Sequence, residues 1–194
     1  EKLATNMLLI LGPWDQNINA VVDKLKTFVS DEDLVADLDE KYESLKMLIP
    51  GNASPSFEFK NVNDQMVSIE DLKGKNLYID VWATWCGPCK AEIPHLKKLE
   101  SEYQDKNIEF VSISVDVPAD EQKWKDMVAE KELKGIQLMS DNGWDTDFVK
   151  DYLIRGIPRF ILIDKEGKII SADAPRPSSN DKIKEMINNL LVSA

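Results

Sequence analysis

The stretch that decides the fold is Leu77-Tyr78-Ile79-Asp80-Val81-Trp82, followed two residues later by Trp85-Cys86-Gly87-Pro88-Cys89. The first part is an almost continuous apolar run, typical of a strand buried on both faces of a sheet. From Pro88 to about Tyr103, apolar residues recur at helical spacing, and proline suits the first turn of a helix. The two cysteines therefore lie where a buried strand is predicted to end and a helix to begin.

This position of the cysteines has a chemical consequence. The first turn of a helix carries unpaired amide hydrogens and a partial positive charge, which stabilise a thiolate and lower its pKa. Cys86 is the outer residue, Gly87 is expected to leave its sulfur accessible, and Cys89 follows one turn later within reach of it. We expect the pair to alternate between dithiol and disulfide.

Other interpretations of the cysteine pair compete with this one. A structural disulfide across so short a loop constrains little of the unfolded chain. A structural zinc site needs four ligands, and the only histidine, His95, is predicted to point away from both sulfurs into solvent. The acidic cluster 141–147 lacks the spacing of a calcium loop, so no metal site is predicted. An inert buried pair of thiols remains an alternative.

Outside this stretch, strands alternate with helices. A further strand and helix are predicted from Ile108 to Lys131. The pattern ends in a hairpin around residues 160–170 and a last helix capped by Ser178 or Ser179. This order predicts an α/β fold with a parallel sheet covered by helices on both faces and an antiparallel hairpin at its end.

Residues 1–50 differ from the rest of the chain. Apolar residues recur at helical spacing, while cysteine, histidine and recognisable motifs are absent. A segment rich in proline, glycine and serine follows at 50–56. We predict a helical N-terminal extension, 1–50, and a main domain, 51–194. The extension either packs on the main domain or serves as a docking or dimerising element.

Composition excludes several classes of partner. The chain has 24 basic and 35 acidic residues and a net charge of −11, which repels nucleic acids and anionic membrane surfaces. The longest aliphatic run, 7–11, is far shorter than the roughly 20 residues of a membrane span. The chain opens on Glu1 without a basic and apolar leader and reads as a processed product. Compartment and oligomeric state stay open.

Several motifs together resemble a known family. Residues 80–90 resemble the active-site signature of thioredoxin, and Gly156-Ile157-Pro158 resembles the cis-proline loop of that fold. The inserted strand–helix unit at 108–131 and the sequence from Cys89 to Pro94 are similar to the TlpA/ResA-like thiol–disulfide oxidoreductases. The resemblance covers about residues 53–191 and implies a thioredoxin-like central sheet flanked by helices.

The resemblance also implies roles for two carboxylates. Asp80 interrupts an apolar strand, where burial raises the pKa of a carboxyl group; the resemblance makes it the base that deprotonates Cys89. Glu92 matches a glutamate near the active site of the ResA-like group and is expected to tune the thiols, unless it is an ordinary exposed helix residue. Ser112 stands where thioredoxin has a lysine near its buried aspartate.

A docking surface is implied next to the cysteines. A cis Pro158 leaves the backbone of Ile157 free to bind an extended substrate strand. The predicted surface consists of Trp85, Gly87, Pro88, Ile157 and Pro158, with Arg159 beside it as a determinant of partner choice.

The resemblance therefore predicts an enzyme that reduces protein disulfides, with no cofactor beyond its own Cys86–Cys89 pair. It implies an upstream thiol reductant, which can be membrane-bound. It also implies a periplasmic or otherwise extracytoplasmic location and a membrane anchor outside this chain. The implied cellular roles are redox homeostasis or cytochrome c maturation. Two alternatives stay open: a thiol peroxidase, although Ala83 stands where such sites favour threonine, and a non-catalytic docking or assembly module.

Overall fold

The computed structural model describes residues 18–29 and 31–192, and its centre is a seven-stranded sheet. In sheet order the strands are β2, β1, β5, β4, β3, β6 and β7. Their bounds are β1 Glu58–Asn61, β2 Met66–Ser68, β3 Asn76–Trp82, β4 Ile108–Ser114, β5 Ile136–Met139, β6 Arg159–Ile163 and β7 Ile169–Ser171. Strands β3, β4 and β5 are parallel, while β6 and β7 continue antiparallel on one side and β1 and β2 on the other.

Helices cover both faces of this sheet. Their bounds are α1 Ile18–Phe28, α2 Glu32–Met47, α3 Gly87–Tyr103, α4 Glu121–Glu130, α5 Asp147–Asp151 and α6 Asp181–Val192. One face packs Tyr78, Phe110 and Phe160 against α3 and α6. The opposite face packs its aliphatic side chains against Trp124 of α4 and Phe148 of α5. The predicted α/β fold with a helix-covered parallel sheet is thereby confirmed.

The N-terminal helices form a small cluster of their own. Val22 of α1 and Leu38 and Leu45 of α2 are buried together, and Leu153 of the sheet-based unit packs against them. The predicted helical character is confirmed for α1 and α2; residues 1–17 lie outside the described part of the chain. The division at residue 50 stays a prediction.

The segment after α2 joins the edge of the sheet. Gly51 donates a backbone hydrogen bond to Ile169 at 2.7 Å, the Ile169 N–H donates to Asn52 at 2.8 Å, and Ser54 donates to Gly167 at 2.9 Å. Ala53 bridges to Lys168. The predicted linker is therefore bonded along β7, the edge strand.

The predicted cap of the last helix is wrong. Ser178 and Ser179 lie in a short 3-10 turn, Pro177–Ser179, and α6 begins only at Asp181. The Ser179 hydroxyl donates to the Arg176 carbonyl, and that of Ser178 donates to Glu92 of α3. The Ser178 side chain, which the local pattern assigned to the start of the last helix, instead bonds to Glu92 of another helix.

Candidate active site

The site is built where β3 and β4 end side by side. After β3 the chain turns through Ala83 to Trp85, and this turn is fixed by Asp116, which follows β4. The Asp116 carboxylate accepts hydrogen bonds from the Thr84 N–H and the Thr84 hydroxyl, both at 2.8 Å, and from the Ser114 hydroxyl at 2.6 Å. All three side chains are buried. The parallel strands thus hold in place the residues that lead into the cysteine pair.

The two cysteines form a disulfide at the start of α3 in this structure. Cys86 is the N-cap of the helix, and its Sγ accepts a hydrogen bond from the Cys89 N–H at 3.1 Å. The predicted strand–loop–helix position of the pair is confirmed. An N-cap sulfur that accepts an amide hydrogen bond is placed where negative charge is stabilised.

The access expected at Cys86 is slight in the disulfide form. Only 4% of Cys86 and 3% of Cys89 is exposed, because both pack into the large core on one sheet face. The surface beside them is open, since a Cβ added at Gly87 meets no atom within 4 Å. The surface next to the disulfide is therefore unobstructed on the side of Gly87.

The cis-proline prediction is confirmed. The Ile157–Pro158 peptide bond is cis, directly before β6, and β6 pairs antiparallel with β3. Trp85, Gly87 and Pro88 are exposed, and Ile157 and Pro158 are partly exposed. Their work as a docking surface stays a prediction.

Arg159 lies directly after Pro158, at the start of β6, and its role in partner choice stays a prediction. Its guanidinium donates to the Ala172 carbonyl at 3.3 Å and pairs with Asp173 at 3.1 Å, and only 16% of its side chain is exposed. The positive charge of Arg159 is thus paired with Asp173 at the β6–β7 side of the sheet.

Asp80 lies in the middle of β3 with its side chain buried. Burial, reinforced by the negative charges of Glu92 and Glu100, raises the pKa of Asp80 to about 8. No described residue donates a hydrogen bond to this carboxylate. A carboxyl group with such a pKa is suited to exchange protons near neutral pH.

The register places Ser112 of β4 directly beside Asp80. The buried neighbour is therefore a hydroxyl group at the position where thioredoxin has a lysine.

Glu92 is not an exposed helix residue. It is buried on α3, and its two carboxylate oxygens accept hydrogen bonds from Ser178, from the backbone N–H at 2.9 Å and from the hydroxyl at 2.7 Å. Local sequence could not show this contact, since the two residues are 86 positions apart.

Sequence reasoning missed three groups that shape this region. Asp116 carried a usable signal, because a carboxylate directly after a buried strand needs donors. Ser178 was expected to cap the last helix, whereas it lies in the 3-10 turn before that helix and donates to Glu92 of α3. Glu100 on α3 was not singled out, although it is partly buried and its pKa is raised to about 7, mainly by burial.

Two further expectations concern metals and the solvent-facing histidine. His95 is exposed, as predicted. Within 18–29 and 31–192, no group of three or more His, Cys, Asp or Glu side chains is arranged to hold a metal ion. None of the helices described in that part of the chain combines the length and apolar character needed to cross a membrane.

Comparison with known proteins agrees with this geometry. The Redoxin family profile matches residues 49–188. The chain belongs to the Redoxin family. It is 31% identical over 120 residues to the thiol-disulfide oxidoreductase ResA of Bacillus cereus, a match that covers 62% of this chain and 66% of that relative. The chain thus spans just under two thirds of the length of this curated relative.

Solved structures of thiol-disulfide oxidoreductases are also similar to this chain. A proposed thiol-disulfide oxidoreductase from Bacteroides vulgatus is 36% identical, with a TM-score of 0.67, covering 75% of this chain and 99% of its own. A thiol-disulfide oxidoreductase from Bacteroides fragilis is 28% identical, with a TM-score of 0.62, covering 70% and 99%. The protein is therefore a ResA-like member of the thioredoxin superfamily. These relatives are thiol-disulfide oxidoreductases by name, and this chain carries a Cys86–Cys89 disulfide at the start of α3.

Proposed function

We propose that this protein reduces disulfides of protein substrates through a dithiol–disulfide cycle of Cys86 and Cys89. The observation that carries the proposal is the pair itself. Cys86 caps α3 with its Sγ on the Cys89 N–H, and Cys89 is close enough to bond to it. The similarity to ResA supports the same assignment.

The cycle transfers two electrons and is balanced as follows. The Cys86 thiolate attacks one sulfur of the substrate disulfide, forms a mixed disulfide and releases the first substrate thiolate. Cys89 loses its proton and attacks Cys86, which releases the second substrate thiolate. The substrate gains two electrons, and the protein is left with the Cys86–Cys89 disulfide.

Asp80 and Glu92 take different parts in this scheme. Asp80 accepts the Cys89 proton, because burial keeps its carboxyl group close to proton balance near neutral pH. Glu92, held by Ser178, supplies a fixed negative charge that tunes the thiols and raises the pKa of Asp80.

The substrate docks on Trp85, Gly87, Pro88, Ile157 and Pro158. An exposed tryptophan and a glycine with open space above it suit an apolar, extended segment. We leave Arg159 out of this surface because its guanidinium is paired with Asp173.

The cycle needs no bound cofactor, since the two cysteines carry the electrons. From the ResA-like resemblance we infer an extracytoplasmic site of action, where disulfides persist, an upstream and membrane-bound thiol reductant, and substrates that include cytochrome c maturation partners. We also infer that 1–50 is an extension of the 51–194 domain, because α1 and α2 bury their apolar residues against Leu153.

The test is trapping with paired serine variants. Cys89→Ser should accumulate mixed disulfides with substrate proteins, because the attacking thiol of the second step is gone. Cys86→Ser is the matched control and should trap none. Insulin reduction should be lost in both variants. The reverse trapping pattern would overturn the assigned roles, and turnover of peroxide without disulfide reduction would favour the peroxidase alternative.

A further inference from the structure

The proposed function does not say how the proton that Asp80 takes from Cys89 reaches solvent. Asp80 lies in a closed environment, with 8% of the residue exposed and no described hydrogen-bond donor. The lysine that thioredoxin offers at this point is replaced by Ser112, which pairs with Asp80 in the sheet register. A proton taken from Cys89 must leave Asp80 by another group before the next cycle.

Polar side chains continue from Asp80 across the sheet. Asp80 pairs with Ser112 on β4, and Ser112 pairs with Gln137 on β5, so all three lie on the same sheet face. Gln137 is buried, and its Nε2 donates to the Lys134 carbonyl at 2.5 Å. Its Oε1 is buried without a hydrogen-bond partner in the described part of the chain. A buried acceptor without a partner is costly, and this one lies at the end of the polar row.

Glu100 of α3 lies over this row. Glu92, Leu96 and Glu100 are four residues apart and form one stripe of the helix, and Leu96 of this stripe is buried on the Asp80 face of the sheet. The Oε1 of Glu100 is 3.2 Å from the position that a Cβ on Gly135, the residue before β5, would occupy. Glu100 is thus held close to the β5 end of the polar row.

Glu100 also faces solvent. It lines an open cavity of about 300 Å³ together with Lys97, Gln104, Glu109 and Lys134. The charged groups that act on it are Lys134 and Lys97, which lower its pKa, and Glu109, which raises it; burial outweighs them and gives a pKa of about 7. The negative charge of Glu100 in turn raises the pKa of Asp80.

We propose that Glu100 is the proton exit of the buried site, relaying to solvent the proton that Asp80 takes from Cys89. The inference rests on the proposed function. Cys89–SH and the Asp80 carboxylate give the Cys89 thiolate and the Asp80 carboxylic acid. The acid passes its proton along the polar row to the Glu100 carboxylate, with the Ser112 hydroxyl beside Asp80 accepting one proton and donating its own. Glu100 then releases the proton to water in the cavity. No electrons move in these steps, and each carboxylate is regenerated. Glu100 acts through Asp80 and does not contact the sulfurs.

The experiment resolves the two thiol steps in the full chain. Reduced protein is mixed with 5,5′-dithiobis(2-nitrobenzoate); the first thionitrobenzoate is released by Cys86 and the second by Cys89. With Glu100→Gln we expect an unchanged first phase and a second phase about tenfold slower near pH 7. Imidazole added at constant pH and ionic strength should restore the second phase in proportion to its concentration, since it enters the cavity as a substitute base.

Glu109→Gln is the matched control. It removes a carboxylate from the same cavity, but Glu109 pairs with Leu77 in the register and is not in the Asp80 row. We expect its second phase to keep a rate within about twofold of that of the unmodified protein, because only a charge near Glu100 is lost and the relay group stays. Imidazole should have no effect on it.

The outcomes separate this inference from the function beneath it. A Glu100→Gln second phase that keeps its full rate overturns the relay. A second phase that only shifts its pH midpoint downward, without a response to imidazole, shows that Glu100 acts by its charge alone and also overturns it. Absence of the second phase in the unmodified protein contradicts the Cys86–Cys89 cycle itself.

Discussion

Two buried aspartates at neighbouring strands show that the hydrogen-bond donors around a carboxylate decide whether it is structural or can exchange protons. Asp116, after β4, accepts three hydrogen bonds from Thr84 and Ser114. Asp80, in β3, accepts none from the described residues, and burial raises its pKa to about 8. The first arrangement fixes a loop, whereas the second leaves a group that can exchange protons. Burial alone therefore does not identify a reactive carboxylate; the number of donors does.

The largest effect expected from this contrast is kinetic. Asp80→Asn removes the proton acceptor but keeps the size of the side chain. The attack of Cys89 on the mixed disulfide should slow by about 10²-fold, while the attack of Cys86 on the substrate changes little. Stopped-flow measurement of the two steps checks this, and equal slowing of both would remove Asp80 from the second step.

Asp116→Ala should affect stability. The substitution leaves the Thr84 N–H and two hydroxyl groups buried without their acceptor, at about 1–3 kcal/mol for each unsatisfied group. Urea unfolding of the oxidised protein should show a loss of about 3 kcal/mol. Asp164→Ala is a comparison at an aspartate that accepts only from its own turn. A loss of unfolding free energy no larger than that of Asp164→Ala would show that Asp116 does not hold the loop between β3 and α3 in place.

The pH dependence of stability tests the titration of Asp80 without kinetics. The pKa of Asp80 is raised in the folded protein, from 3.8 to about 8, so the folded state holds a proton that the unfolded state has lost. Stability from this group is therefore greatest below pH 3.8 and falls until about pH 8, by about 1 kcal/mol per pH unit.

The Asp80→Asn variant isolates this contribution. Its oxidised form should be more stable than the unmodified protein at pH 8 by an amount on the order of a few kcal/mol, and the difference should shrink toward pH 4. Unfolding curves of both proteins across this range measure it. A difference that is independent of pH would show that Asp80 does not titrate in this window.

The smallest effect concerns Glu92. Its carboxylate accepts two hydrogen bonds, fewer than Asp116 and more than Asp80. Ser178→Ala removes the hydroxyl donor at 2.7 Å and leaves the backbone donor in place. We expect a loss of about 1 kcal/mol together with a shift in the reduction potential of the cysteine pair. Ser179→Ala is the matched control, since that hydroxyl bonds locally to Arg176. Equal potentials in the two variants would separate Glu92 from the redox pair.

The sequence predicted the features that depend on local pattern. The apolar run of β3 and the cysteines at the start of α3 lie as expected, because strand burial and helix starts leave short-range signals. The cis Ile157–Pro158 bond was expected from the resemblance to thioredoxin and not from local pattern. The resemblance to thioredoxin placed Ser112 near Asp80, and the strand register pairs the two residues.

Contacts between distant residues were beyond local pattern. Ser178 was expected to cap a helix, yet it bonds to a residue 86 positions earlier. The charge of Arg159 is paired across β6 and β7, and Glu100 meets Gly135 from another element. In each case the packing of the sheet and its helices sets the position of a polar side chain, and periodicity does not encode that packing.

The bonding of residues 51–54 along β7 has a consequence for association. An exposed edge strand is a template on which a second chain can add a strand. Here the backbone groups of Gly51 and Asn52 already bond to Ile169, the first residue of β7, and Ser54 bonds to Gly167 just before it. The segment that leads from the N-terminal helices into the sheet therefore also shields this margin of the protein from self-assembly and aggregation.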